Sequence, residues 1–223
     1  MVSSGGSIFR YALELLKSCG SKVKFIMISD RECKAEKIAE EYGLPLHKIY
    51  NKSKTEFSVE CKKCLDRYEK IDAVMTFVWR LVTKELIDAY PCVNIHPALL
   101  PAFKGFGAVK QAYDSNVKFF GSTLHMVDEE MDHGPVIAQV QTPKRMGITL
   151  KEMTESAFVQ DVYLMLLFID FMERGVIKIG SHYDVNLVAE ITMDDRCNPL
   201  IGNKRYAEKV RQLQEIRGIR VIY

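Results

Sequence analysis

The feature that most constrains the fold is a regular alternation of short apolar runs and amphipathic segments between residues 20 and 96. The apolar runs are rich in β-branched residues, and the segments between them carry apolar side chains at helical spacing. Strands that alternate with helices are joined by right-handed crossovers, so neighbouring strands run parallel and helices cover both faces of the sheet. The alternation therefore predicts an α/β fold with a mostly parallel sheet.

The pattern also predicts where the elements lie. Helices are expected at residues 8–19, 33–42, 54–69, 83–90, 108–114, 149–174 and 204–217, and strands at 23–29, 44–49, 73–78, 92–95, 121–127, 136–140 and 176–179. The long helix is preceded by Thr149, and Glu152 follows three residues later, which is the pattern of a capping box. We expect residues 1–183 to form the main domain and residues 184–223 a C-terminal extension whose sequence assigns it no role.

Composition narrows the class of protein. The chain has 223 residues with 48% hydrophobic and 27% charged residues, which is typical of a globular domain and not of a disordered chain. Lys plus Arg total 31 against 29 for Asp plus Glu, so the sequence offers no basic excess for binding nucleic acid.

The sequence also predicts the cellular compartment and whether the protein binds a metal. No apolar run reaches the length of a membrane span, and the first residues lack the pattern of a secretory signal. The six cysteines are scattered, which favours free thiols in a reducing compartment over a zinc site. We expect a cytoplasmic protein that binds neither membrane nor metal.

Polar side chains cluster where predicted strands end, which is where ligands bind in open α/β sheets. Asn94 and His96 are two residues apart and so point to the same face of their strand, as do Thr123 and His125 on a later strand. Asp132 lies in a turn before another strand. The residues alone leave two interpretations open: a site where these groups converge, or hydrogen-bonded edge residues and an ordinary turn carboxylate.

A resemblance to a known family favours the first interpretation. The stretch from Asn94 to Gly105 reads Asn-Ile-His-Pro-Ala-Leu-Leu-Pro-Ala-Phe-Lys-Gly, and it is followed by Gly121-Ser-Thr-Leu-His-Met-Val-Asp128 and Met131-Asp-His-Gly-Pro-Val-Ile-Ala-Gln139. These segments resemble the formyltransferases that use 10-formyltetrahydrofolate, most closely those that act on phosphoribosylglycinamide in purine synthesis. The strong likeness covers about 45 residues and a weaker one residues 1–180. It implies a Rossmann-like fold and an enzyme that transfers a formyl group to a small primary amine.

The resemblance also implies roles at the reaction centre. Asn94 and protonated His96 would stabilise the negative charge that develops on the formyl oxygen, and Asp132 would move protons, through an ordered water. No metal is required. Thr123 and His125 match positions that support this site.

Two binding regions follow from the same resemblance. For the folate they are an apolar strand end with Trp79, Arg80, Leu81 and Val82, and an acidic turn with Val127 and Asp128. For the amine they are a loop that would hold a phosphate at a helix N-terminus, formed by Ser4, Gly5, Gly6 and Ser7, and Asp161 near the ribose.

The amine region departs from the family pattern. Only Met1 and Val2 precede the loop, Ile8 stands where Asn is common, and Asp161 and Val162 replace a Glu and a His. Two residues are too few for a central strand, so we expect a truncated start or a modified sheet. Three alternatives stay open: a sugar-nucleotide N-formyltransferase, a formyltetrahydrofolate hydrolase, and a folate or nucleotide binder without catalysis.

Overall fold

The structure is a computed structural model that describes residues 1–179, 185–187 and 197–218. Within these residues the helices are α1 (Ser7–Cys19), α2 (Ala35–Tyr42), α3 (Lys54–Leu65), α4 (Lys84–Ile87), α5 (Ala108–Asp114), α6 (Leu150–Arg174) and α7 (Lys204–Arg217). The strands are β1 (Met27–Ser29), β2 (Leu46–Lys48), β3 (Val74–Met75), β4 (Cys92–His96), β5 (Phe119–Met126), β6 (Val136–Pro143), β7 (Ile177–Ile179), β8 (Val185–Leu187) and β9 (Cys197–Asn198).

Strand direction changes half-way along the chain. The pairs β1–β2 and β3–β4 are parallel, as the alternation predicts. Beyond β4 the pairs β4–β5, β5–β6 and β6–β9 are all antiparallel, because β5 follows a short helix and loop and β6 is joined to it by a turn instead of a crossover. The predicted α/β class is confirmed, and the parallel part of the sheet is its N-terminal half.

Val2 links the two parallel pairs into one surface. It forms isolated parallel bridges to Ser29, the last residue of β1, and to Phe77 after β3. Its N–H donates to the Ile28 carbonyl over 2.9 Å, and its own carbonyl accepts from Asp30 N–H over 3.3 Å. Val2 therefore lies between β1 and β3, in the central position of the parallel strands.

The strands that flank this position are shorter than the sequence predicts. Residues 23–26 and 76–78 are mostly apolar or β-branched but lie outside β1 and β3, and only 27–29 and 74–75 are regular. A strand is defined by its backbone partners, and the bridges formed by Val2 extend over too few residues to keep the neighbouring segments in a ladder.

Helix α6 forms the centre of the core. The predicted capping box is present, with the Thr149 hydroxyl accepting from Glu152 N–H and the Glu152 carboxylate accepting from Thr149 N–H. Most side chains from Met153 to Phe171 are buried, and they pack against α1, the sheet and α7. None of the helices in the described ranges is long and apolar enough to cross a membrane.

The described part of the predicted extension is attached to the same core. β9 pairs with β6, and the buried Asp170 carboxylate accepts from Gly202 N–H over 2.8 Å and pairs with Arg174. A Cβ at Gly202 would lie 2.5 Å from the Arg174 guanidinium, so a larger residue there would require the Arg174 side chain to move. The boundary at residues 183–184 lies outside the described residues and remains a prediction.

Candidate active site

The pairing of β4 with β5 positions the central polar residues. In this antiparallel register Asn94 lies opposite His125, and His96 lies opposite Thr123. Side chains directly opposite each other in an antiparallel pair share one face and lie within contact distance. The structure therefore places on one face of the sheet the four residues that the sequence assigned to two separate strands.

Asp132 joins this group from the turn before β6. Its Oδ2 lies 3.3 Å from His96 Nδ1 and accepts from Gly105 N–H over 2.8 Å, and its Oδ1 lies 3.6 Å from His125 Nε2. Its side chain is only 10% exposed, and its backbone adopts a φ of 50°, a conformation that Asp tolerates better than most residues. Asn94, His96 and Asp132 thus lie in one cluster, as the resemblance implied.

His125 is held neutral and orients Asn94. Burial lowers the pKa of His125 below its ordinary value, and this outweighs the opposing effects of its hydrogen bond to Met126 and of nearby Asp132. Its Nδ1–H donates to the Met126 carbonyl over 2.7 Å, so in the neutral ring Nε2 is an acceptor. Asn94 Nδ2 lies 3.4 Å away and donates to it. The second N–H of the Asn94 amide is thereby left to a ligand oxygen.

His96 is engaged on both ring nitrogens. Nε2 donates to the Phe103 carbonyl over 2.8 Å, while Nδ1 faces the Asp132 carboxylate at 3.3 Å. Each of these two acceptors can take a proton from the ring nitrogen that it faces. To reach a substrate oxygen, His96 must exchange one of these contacts, and the contact with Asp132 is the longer one.

Thr123 holds the loop that completes the cluster. Its hydroxyl donates to the Ala98 carbonyl over 2.7 Å and accepts from Leu100 N–H over 3.1 Å, and Gln139 Nε2 donates to it over 3.0 Å. The loop then supplies the Phe103 carbonyl and the Gly105 N–H to the cluster. Both groups belong to the backbone, so side-chain patterns gave no signal for them.

The predicted folate residues line a cavity of about 350 Å³ beside this cluster. Its walls include Trp79, Arg80, Leu81, Val82 and Val127, together with Asn94, His96, His125, Asp132 and the loop residues Gly105 to Ala108. The Trp79 side chain is 60% exposed, so it is not an ordinary core residue. Asp128 lies in the neighbouring turn, where it accepts from Glu130 N–H and from the His133 ring.

Arg80 has a structural role that the sequence did not reveal. Its Nε donates to Asp30 over 2.9 Å and one of its Nη atoms donates to the Lys52 carbonyl, while the guanidinium lies over the Phe57 ring. Burial raises the pKa of Asp30, but hydrogen bonds from Arg31, Ser3 and Arg80 outweigh it, so the pKa stays below its ordinary value. Arg80 therefore helps to fix the cavity wall.

The predicted phosphate loop leads directly into α1. Gly6 is the N-cap with a φ of 66°, no side chain caps the first turn, and that turn carries no acidic residue. Free N–H groups at such a terminus favour an anion. Ser4, Gly5 and Ser7 are exposed, and Ser4 also lines the cavity.

Asp161 is not brought to the cavity. Its carboxyl is buried on α6 and faces Ser122, which points to the opposite face of β5 from Thr123 and His125. Its Oδ1 has no hydrogen-bond partner among the described residues. Burial raises its pKa from 3.8 to about 7, and the Ser122 hydroxyl offsets only part of this effect. Its expected contact with the amine's ribose remains a prediction that this geometry does not support.

No group of three His, Cys, Asp or Glu residues within the described ranges could hold a metal ion.

Comparison with known proteins identifies the family. A model of the family described as formyl transferase matches residues 1–167, which is most of the chain. The chain belongs to the formyl transferase family. The solved glycinamide ribonucleotide transformylase 1 from Symbiobacterium toebii superimposes with a TM-score of 0.74 at 26% identity, covering 84% of this chain and 92% of that one.

Curated relatives agree with the formyl transferase assignment. The chain is 35% identical over 144 residues to phosphoribosylglycinamide formyltransferase from Bacillus subtilis, which covers 61% of this chain and 74% of the relative. It is 26% identical over 199 residues to the trifunctional purine biosynthetic protein adenosine-3 of Homo sapiens, covering 85% of this chain. The chain spans about a fifth of the length of the trifunctional relatives that it matches.

The position of Asp161 generates a prediction about stability. Because its carboxyl is protonated up to about pH 7 when folded but only up to about pH 4 when unfolded, the folded state binds more protons in this window, and stability falls as pH rises through it. Asp161→Asn removes the titrating group, so it should raise the free energy of unfolding at pH 8 by about 2 kcal/mol or more.

Urea unfolding at pH 4, 6 and 8 measures this effect. The gain from Asp161→Asn should shrink steadily toward pH 4, where the carboxyl is protonated in the folded state and about half protonated in the unfolded state. Asp88→Asn, at an exposed carboxylate after α4, is the matched control and should show little change at any of these pH values. A gain that does not vary with pH would contradict the assignment.

Proposed function

We propose that this formyl transferase moves a formyl group from 10-formyltetrahydrofolate to a small primary amine, and that phosphoribosylglycinamide is the amine. The observation that carries the proposal is the cluster of Asn94, His96 and Asp132 on one wall of the 350 Å³ cavity. Membership of the family supports the choice of donor. The Bacillus subtilis relative named for phosphoribosylglycinamide supports the choice of acceptor.

The folate fits the cavity by its chemistry. When bound, it supplies the formyl group on a nitrogen that leaves once the amine has attacked. Trp79, Leu81 and Val82 provide an apolar wall for the flat pterin, and the backbone of the turn at Val127 and Asp128 offers polar groups for its edge. Stacking on an exposed ring such as Trp79 gives the binding energy without requiring charge.

In this mechanism Asn94 and His96 stabilise the negative charge that forms on the formyl oxygen. Attack by the amine converts the formyl oxygen into a centre of negative charge, and donors held in place before the reaction stabilise it without reorganisation. Asn94 is held by His125, so its second N–H points to a fixed place. His96 adds a positive charge when its Nδ1 turns from Asp132 to the substrate oxygen.

In this mechanism Asp132 transfers protons between the attacking amine and the leaving nitrogen. The attacking amine must lose a proton and the leaving nitrogen must gain one, and a carboxylate next to an imidazolium can accept and return a proton through a water. The hydrogen bond from Gly105 N–H fixes Oδ2, so Oδ1 is the atom placed to act.

The mechanism predicts the effect of removing either group. His96→Ala and Asp132→Asn should each lower kcat for formyl transfer by at least about 100-fold, because each removes a charge or a proton acceptor that acts in the transition state. Stopped-flow absorbance of the folate product measures the rate, and circular dichroism verifies that the variants fold.

His47→Asn is the matched control. This histidine lies on β2 and hydrogen-bonds to Tyr68, away from the cavity, so its replacement should leave kcat within about twofold. A rate near that of the unaltered protein for either cluster variant would contradict the mechanism.

The phosphate loop can be tested at Gly5 but not at Gly6. A Cβ at Gly6 would lie 2.8 Å from Ala35 Cβ, and its φ is 66°, so a substitution there would disturb folding. At Gly5 nothing lies within 4 Å of a Cβ. Gly5→Leu should therefore keep the fold, block the anion site, and raise the KM for the amine by about tenfold or more.

The KM for the folate should stay unchanged in Gly5→Leu. Gly20→Ala removes a glycine from the other end of α1, where a Cβ also meets open space, and should cost about 1 kcal/mol in stability without changing either KM. Equal rises in both KM values for Gly5→Leu would contradict the separation of the two pockets.

A panel of acceptors tests the substrate itself. Formyl transfer is measured with phosphoribosylglycinamide, with amino-sugar nucleotides and with water alone. Product with phosphoribosylglycinamide only is the expected result. Product with the sugar nucleotides would identify a sugar N-formyltransferase, and formate release without an amine would identify a hydrolase.

A further inference from the structure

The turn between β5 and β6 carries Asp132, and backbone contacts hold both of its ends. Met126 N–H donates to the Pro135 carbonyl over 2.8 Å. Gly134 lies so close to Met126 that a Cβ on this glycine would be 2.1 Å from the Met126 carbonyl oxygen. Residues 127–133 form the tip of the turn between these contacts. Three residues of the tip line the cavity: Glu130, Met131 and Asp132.

A contact between two side chains closes the tip of this turn. His133 Nδ1 donates to Asp128 Oδ2 over 2.7 Å, since a carboxylate offers only acceptors. The other oxygen of the same carboxylate, Oδ1, accepts from Glu130 N–H over 3.0 Å. Both oxygens of Asp128 are therefore bonded within the turn. His133 and Asp128 lie outside the lining of the cavity, so their contact acts on the cavity through the turn.

Asp132 needs this support because of its backbone conformation. Its φ of 50° is disfavoured for residues other than glycine, and such a conformation persists where surrounding contacts impose it. One of these contacts is the hydrogen bond from Gly105 N–H to Asp132 Oδ2 over 2.8 Å, on the side of the cavity. The other is made by the next residue, because the bond from His133 to Asp128 fixes the peptide that follows Asp132. The carboxylate is thus held from two sides.

We propose that His133 is a positioning residue for Asp132, which it keeps beside His96 by closing the turn against Asp128. Without this contact the tip has more conformations open to it between its two fixed ends. The Asp132 carboxylate would then spend only part of its time at its distance of 3.3 Å from His96 Nδ1. The inference rests on the proposed function, because it gives His133 its effect on formyl transfer only through Asp132.

The exposure of the contact sets the size of the expected effect. The His133 side chain is exposed and that of Asp128 is half-buried, and contacts between charged groups with this exposure stabilise a structure only modestly. His133→Ala should therefore reduce the population of the ordered turn by about fivefold, and kcat/KM for the folate should fall by the same factor. The KM for the amine should stay unchanged, because the loop proposed to bind its phosphate lies outside the turn.

Hydrogen exchange at the Gly105 amide measures the position of Asp132 without any substrate. Because this amide proton is held by Asp132 Oδ2, it should exchange about fivefold faster in His133→Ala. The Met126 amide, which is bonded to Pro135 at the base of the turn, should exchange at its original rate. NMR of the intact protein, isotope-labelled, follows both amides. A change at Gly105 alone indicates that the tip has moved while the fold is kept.

A conservative variant and a double variant isolate the contact itself. His133→Asn places an amide N–H near the position of ring Nδ1, so it should restore the exchange rate and kcat/KM to within about twofold. Asp128→Ser removes the oxygen that faces His133 but keeps a hydroxyl for the bond from Glu130 N–H, and it should match His133→Ala. The combination of Asp128→Ser with His133→Ala should be no worse than either alone, because both remove one contact.

Trp79 gives a measurement of binding that does not depend on turnover. It is the only tryptophan of the chain and lines the cavity, so its fluorescence should change when tetrahydrofolate binds. The dissociation constant for tetrahydrofolate should rise by about fivefold in His133→Ala. Lys62→Ala is the matched control, because it removes another ion pair of 2.7 Å, to Asp66 on α3. It should change neither this constant nor the exchange at Gly105.

The outcomes separate this inference from the proposed function. Unchanged exchange at Gly105 in His133→Ala would overturn the inference, and so would equal acceleration at Met126, which indicates general loosening. Failure of His133→Asn to restore the exchange rate would overturn it as well. If the unaltered protein transfers no formyl group, the proposed function is wrong, while the exchange rates still decide whether His133 positions Asp132.

Discussion

The register between β4 and β5 is the constraint on which the rest of the site depends. It places Asn94 beside His125 and His96 beside Thr123. A slip of one residue would turn every one of these side chains to the other face, into the apolar layer formed by Leu124, Met126 and α6. The apolar residues between the polar ones therefore hold the register, because burying them fixes which residues face the cavity. The pairing of β4 with β5 therefore determines both how the core packs and where the polar residues of the cluster lie.

The loop after β4 adds backbone groups to the side chains that this register brings together. Thr123 and Gln139 hold the loop at Ala98 and Leu100, and the loop returns to the cluster at Phe103, whose φ is 56°. A non-glycine residue in this conformation costs about 1 kcal/mol or more, and such strain persists only where surrounding contacts impose it. Here the imposed conformation places a carbonyl against His96 and is followed by an N–H that binds Asp132. Thr123 therefore positions these backbone groups, and in the proposed mechanism it would act on the reaction only through them.

The sequence predicted what depends on local pattern and missed what depends on pairing. The spacing of apolar residues and the residues at helix ends predicted the positions of α5, α6 and α7 closely, because both signals depend only on residues that are near in sequence. The predicted length of the strand at 23–29 is too great, because a segment forms a regular strand only where another part of the chain pairs with it. Asp161 was placed by its spacing along α6, whereas its side chain is directed by how α6 rests on Ser122. The roles of Phe103 and Gly105 lie in backbone atoms, which carry no signal in residue type.

The short central segment explains why departures in the N-terminal half leave the reaction centre intact. Val2 bridges its neighbours only at their carboxyl ends, beside Ser29 and Phe77. That suffices to hold Ser3, whose hydroxyl accepts from Trp79 N–H over 2.9 Å and helps to keep Asp30 ionised for its bond with Arg80. The proposed phosphate loop and the proposed folate-binding wall are thus connected at the end of the sheet where the cluster lies.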